Sequence, residues 1–228
     1  MFAKLLARDA DETLDSSYYL RRILEIDEED DIVASTIIHD SIRGTLEMRL
    51  EDAIATCPSH LNALDERGLA PLHWAIIMDN LEAVHSLMRH GAAIDIRSGP
   101  SKMAPLHYAA STYFTTAAIT VLLKYGAHVD ARDSMGQTAL HLATYNVEKV
   151  RILLNAGATP NSTNNNGESP LYGCIRRRYA NEKVLAELLR AGADVNLGDR
   201  AGNPPLMMAV LVSSAGIASF LIEMGAAV

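Results

Sequence analysis

Residues 68–75 read GLAPLHWA, and the same line returns four more times. It is KMAPLHYA from Lys102, GQTALHLA from Gly136, GESPLYGC from Gly167 and GNPPLMMA from Gly202. The leucines Leu72, Leu106, Leu140, Leu171 and Leu206 stand 34, 34, 31 and 35 residues apart. A second landmark follows each of them: Gly91-Ala92, Gly126-Ala127, Gly157-Ala158, Gly192-Ala193 and Gly225-Ala226. A period of this length marks stacked supersecondary units, not one compact centre.

Each unit has a readable interior. Leu72, Ala75 and Ile76 fall at the i, i+3, i+4 spacing of a helix, and Pro71 suits the first helical turn, where a missing N–H costs nothing. A second helix carries Val84, Leu87 and Met88 and stops at His90-Gly91, where glycine takes the left-handed cap. The segments between units are polar, with Asn166-Gly167 the strongest turn signal. The expected unit is helix, turn, helix, then a projecting hairpin-like loop. Neither short helix buries its apolar stripe alone; stacked neighbours do, giving an all-α one-dimensional solenoid.

With these landmarks the segment from Asp65 to Val228 resembles the ankyrin repeat family, whose unit is about 33 residues with a T-P-L-H-x-A signature. The expected units are 65–98, 99–132, 133–163, 164–198 and 199–228. A degenerate capping unit is expected over 31–64. Its first helix is Ile32–Ile42, closed by Gly44, and its second runs from Thr45 with Pro58 in place of the glycine. Residues 1–30 form an acidic N-terminal segment with a helix over Ser16–Ile26. Three departures stand out: Lys102 replaces a turn glycine, so a distorted tip is expected at Gly99–Lys102; the third unit lacks about two residues between its helices; the fourth gains about two.

Composition narrows the function. Apolar residues are 49% and charged residues 21% of the 228, which is globular, not disordered. The net charge of −8 falls wholly in residues 1–64, with 14 acids and 6 bases, against 14 and 14 in residues 65–228. Binding to nucleic acid through a basic surface is disfavoured. The densest acidic run, Asp27–Asp31, reads as a helix-capping turn or as a docking strip for a basic partner. No leader-like apolar run opens the chain, and no membrane attachment is expected: the uncharged stretch Asn203–Ile222 contains Pro204, Pro205 and Gly216 in the repeat pattern. Two cysteines, Cys57 and Cys174, lie units apart and cannot pair within the chain. A reducing, cytoplasmic home is expected, with the nucleus open.

No residue pattern points to catalysis. There is no phosphate-binding loop, nucleophile elbow or paired Cys-x-x-Cys, so neither a cofactor nor enzymatic activity is expected. His73, His107 and His141 recur at 34 and 34, which stacks them in separate units, too far apart for one metal; they are read as structural.

The resemblance implies that protein partners are gripped by loop tips and by the exposed end of each first helix. Carried over singly, the candidates are Arg67, Leu69, Ile77, Met78, Met103, Tyr113, Met135, Tyr145, Asn146, Arg176, Arg177, Arg178 and Tyr179. Ile77, Met78, Met103, Met135 and Tyr145 are expected to form an exposed apolar stripe, or else to pack between units. Arg176–Arg178 suit an acidic partner, or else solvate a helix C-terminus. The partner is another protein or another domain of a larger chain. The alternatives are an arm of an enzyme whose catalytic domain lies elsewhere, or a self-assembling array. The fifth unit is unlike a cap: Met207, Met208, Val210, Leu211, Val212, Phe220, Leu221 and Ile222 leave it no polar outer face. Leu188–Asn196 also resembles an asparagine-hydroxylation motif of the family.

Overall fold

The computed structural model describes residues 37–111, 116–176 and 181–227. The Ser16–Ile26 helix, the Asp27–Asp31 strip, the start of the Ile32–Ile42 helix, and Tyr113, Arg177, Arg178 and Tyr179 lie outside the described residues.

Twelve α-helices follow one another in pairs among the described residues. The first pair is α1 (Ile37–Arg43) and α2 (Leu50–Thr56), the latter followed by a 3₁₀ turn at Pro58–His60. Then come α3 (Pro71–Ile77) and α4 (Leu81–Arg89), α5 (Pro105–Ser111) and α6 (Ala117–Lys124), and α7 (Ala139–Leu142) and α8 (Val147–Asn155). The last pairs are α9 (Pro170–Arg176) with α10 (Glu182–Arg190), and α11 (Pro205–Leu211) with α12 (Ala215–Glu223). The loops between pairs are turns; no strand occurs among the described residues.

Packing runs strictly between neighbours. The odd-numbered helices pack in the order α1–α3–α5–α7–α9–α11, and the even-numbered helices α2–α4–α6–α8–α10 behind them. The apolar cluster is therefore continuous along the stack, with Leu72, Leu106, Leu140 and Leu171 in successive layers. This is an ankyrin-type α-solenoid.

Local chemistry explains the helix ends. Asn80, Asn146 and Asn181 cap α4, α8 and α10, each amide oxygen accepting backbone N–H groups of the first turn. At the other end of α4, Gly91 takes φ +84 and donates to Met88 O, while Ala92 donates to Leu87 O, the paired bonds of a Schellman motif. The Gly-Ala landmark is that motif, repeated after α6, α8, α10 and α12. The short third unit leaves α7 with only four residues before Asn146 starts α8. The degenerate first pair keeps the geometry of the rest, with His39 in α1 standing 34 residues before His73.

Candidate interaction surface

The projecting loops are held by three repeated devices. The first is internal to each tip. Asp65 Oδ1 accepts the N–H groups of Arg67 and Leu69, at 3.0 and 2.8 Å, while Gly68 N donates to Asp65 O. Asp133, Asn164 and Asp199 repeat this pattern with Met135 and Gln137, Asn166 and Glu168, and Ala201 and Asn203. The second tip differs. Ser98 N bonds Met103 O, one residue further on than in the other tips, and Lys102 takes φ +50 where they have glycine. The Lys102 side chain is exposed.

The second device joins each unit to the next through its first helix. Nδ1 of His73 accepts the N–H of Ala70, so its proton sits on Nε2, which donates to Met103 O at 3.2 Å. His107 and His141 repeat the arrangement to Gln137 O and Glu168 O, and His39 donates to Leu69 O at 2.9 Å. In the fourth unit Tyr172 takes over, its hydroxyl donating to Asp199 Oδ2. Burial is the main reason all four histidines are held below the ordinary imidazole range, with His73 and His141 lowered to about 4. Each histidine serves a different carbonyl, and among the described residues no three His, Cys, Asp or Glu side chains converge as a metal site would need.

The third device is a side-chain clamp behind the loops. Asn62, Asp95, Asp130, Asn161 and Asn196 each accept the backbone N–H that follows the next unit's Gly-Ala pair: Ala93, His128, Thr159, Asp194 and Ala227. Asn161 adds a donor bond to Gly192 O. The Asn/Asp alternation hides this ladder in the sequence, although its spacing tracks the repeat. Asn196, the residue of the hydroxylation-like motif, is one of its rungs.

The expected partner residues divide. Of the stripe, Ile77 and Met103 are buried in the common core, which is the packed alternative and not the exposed one, and Leu69, a further expected contact, is buried there too. Met78 is half-buried against that core. Tyr145 is half-buried and donates to Ala110 O at the end of α5, and Asn146 is the α8 cap. Met135 alone of the stripe is well exposed, at 50%. Arg67 lies 6.0 Å from the Trp74 ring centroid, with Arg43 at 4.9 Å. Arg176 is exposed but its Nε is 3.3 Å from Glu168, so part of its charge is already answered within its own unit.

Lys149 escaped notice in the sequence. It is wholly buried where the other second helices carry Ala83, Ala118, Val184 and Ile217. Its ammonium donates to Ala109 O at 2.8 Å and to the Tyr145 hydroxyl at 3.2 Å, and burial lowers it to about 8. Lys149 and Tyr145 together close the C-terminal end of α5, where helix carbonyls favour a cation.

At the far end, Met207, Val210, Leu211, Val212, Ile222 and Met224 are exposed, while Leu221 beneath them is buried. None of the helices among the described residues is long and apolar enough to cross a membrane.

Comparison with known proteins agrees with this architecture. A family model described as ankyrin repeats in three copies matches residues 82–164 and 145–228, and a single ankyrin repeat model matches 67–96. A zebrafish (Danio rerio) protein named putative palmitoyltransferase ZDHHC13 is 30% identical over 72% of this chain and 26% of its own length. Human ankyrin repeat and SOCS box protein 16 is 31% identical over 76% of this chain and 32% of its own. Putative ankyrin repeat protein FPV031 of fowlpox virus is 31% identical over 77% and 52%. The matched segment thus spans between about a quarter and a half of each of these relatives.

Proposed function

Because this chain belongs to the ankyrin repeat family, we propose that it is a non-catalytic docking array that grips another protein. One observation carries the reading. At the loop tips the backbone is satisfied by the unit itself and by its neighbour, while side chains such as Glu66, Lys102, Met135, Asn165 and Arg200 are left exposed. Rigid tips at a fixed period, bearing exchangeable side chains, suit recognition of an extended protein surface. Arg67, Met78, Met135 and Arg176 are the described contact candidates, and Tyr113, Arg177, Arg178 and Tyr179 remain part of the proposed row. An acidic partner segment fits the arginines, since Arg176 already binds a carboxylate. The net charge of −8 disfavours nucleic acid.

The test is affinity capture with the intact chain and with a Met135→Asp/Arg176→Glu variant. The expected result is one or more proteins captured by the first and lost by the second, with unchanged circular dichroism. Equal capture by both contradicts the proposed surface.

A second reading has an observation of its own. The similarity to the protein named palmitoyltransferase covers 26% of that protein, so in such company the array is an arm of a longer chain. Identifying the full transcript decides between an isolated module and such an arm. A cytoplasmic setting fits the two free thiols, Cys57 and Cys174, and fractionation of native cells checks it.

A further inference from the structure

The recurring line changes character at Gly173. In register it takes the position of Trp74, Tyr108, Leu142 and Met208, all of them bulky. Trp74, Tyr108 and Leu142 are buried, and Trp74 Nε1 donates to Asp65 Oδ2 at 2.7 Å, so that side chain lies against its own loop tip. The fourth unit has no such prop. Gly173 is half-buried in the middle of α9, and a Cβ built on it meets no atom of the described residues within 4 Å. The row of first helices therefore carries a recess between Leu142 of α7 and Met208 of α11, the helices that pack on either side of α9.

Two features of the recess point to an occupant. A glycine inside a helix weakens it relative to alanine, because glycine loses more backbone freedom on folding. Nothing inside the fold asks for that weakness: Gly173 has no positive φ, and an alanine methyl there would touch none of the described residues. The remaining use of glycine is to let another backbone come close. The second feature is Arg176, at the i+3 position on the same helix face. Its Nε is 3.3 Å from Glu168 Oε1, and the other oxygen of Glu168 accepts from Asn164 Nδ2 at 2.9 Å. That anchor orients the guanidinium and leaves its two terminal nitrogens clear of any other carboxylate among the described residues. They form an exposed fork beside the recess, shaped for a carboxylate.

We infer that Gly173 is the point of closest approach for a protein partner: an extended acidic segment lays its main chain against α9 over Gly173 and sets one carboxylate on the Arg176 fork. This rests on the docking reading above and assigns its centre. A side chain at position 173 lifts the segment off the helix. A neutral side chain at position 176 leaves the partner's carboxylate without its counter-charge.

Selection of a random short-peptide library on the intact chain, followed by fluorescence anisotropy of the enriched peptides, reads the inference. The expected peptides are rich in Asp and Glu, and Gly173→Leu and Arg176→Gln each weaken them about tenfold or more. Gly173→Ala also weakens them, while raising the melting temperature by about 1–3 °C. Stability and binding then move in opposite directions, which a merely structural role does not produce, and this variant decides the matter if Gly173→Leu disturbs the fold. Gly216→Ala fills a helical glycine in α12 and leaves binding unchanged. Peptides indifferent to both Gly173 substitutions, or free of acidic residues, overturn the inference and leave docking standing. A library that yields no binder overturns docking along with it.

Discussion

At the residue scale the histidines do the work that the sequence line PLH advertises, and their chemistry carries a pH signature. His73 and His141 are held at about 4 in the fold against 6.5 for the free side chain, with burial the main cause. Between those values the unfolded chain binds more protons than the folded one, so stability rises with pH. The histidine contribution is complete above about pH 6.5 and is lost as pH falls toward about 4, at roughly 1.4 kcal/mol per pH unit per histidine. Urea unfolding at pH 7.5 and pH 5.5 checks this, and His73→Gln is expected to flatten the slope. A stability that is level across that window contradicts the burial-lowered histidines.

Glycine gives a second prediction at this scale. A Cβ on Gly68 would lie 2.6 Å from Gly99 Cα, at φ +72, so both sterics and conformation forbid it. At Gly91, φ +84, the added atom meets nothing. Gly91→Ala is expected to cost about 1 kcal/mol and Gly68→Ala clearly more, because the second strains two neighbouring loops as well. Thermal melts of the two variants check the order.

At the element scale, the sequence disclosed the helices better than the surfaces. Pro71, Asn80 and the Gly-Ala pairs mark helix ends through backbone chemistry that is local and therefore visible in one segment. Whether Ile77 or Met103 faces solvent depends on the unit stacked above it, and helical period says nothing of that. The clamp residues were missed for a related reason: Asn62, Asp95, Asp130, Asn161 and Asn196 look like ordinary polar loop residues until their partners in the next unit are seen. His39 stands 34 residues before His73, but Ile37-Ile38-His39 lacks the proline and leucine that mark the histidine in the later units.

The division between core and surface is testable element by element. Ile77→Ala, in α3, is expected to cost about 2–4 kcal/mol, whereas Met135→Ala, on a loop tip, stays within about 0.5 kcal/mol. Asn161→Ala removes the bonds to Asp194 N and Gly192 O and is expected to weaken the join between the fourth and fifth pairs, α7–α8 and α9–α10, by about 1–2 kcal/mol. Chemical denaturation of the three variants measures the ranking, and a destabilising Met135→Ala would place that side chain in the core.

For the whole molecule, the central claim is that each helix pair depends only on its neighbours. The packing order α1–α3–α5–α7–α9–α11 states it in contacts, and the His and Asn/Asp ladders state it in hydrogen bonds, since each rung reaches one unit and no further. Such a stack frees its loop tips and its ends for partners, because no tip or end is needed to close a common centre. It also unfolds from where it is injured. Hydrogen exchange on Leu221→Ala, a buried residue of α12, tests this most directly. The account predicts that amides of α11, α12 and the adjoining α9–α10 pair lose protection while those of α3–α6 keep theirs. An even loss of protection from α3 to α12 would contradict it.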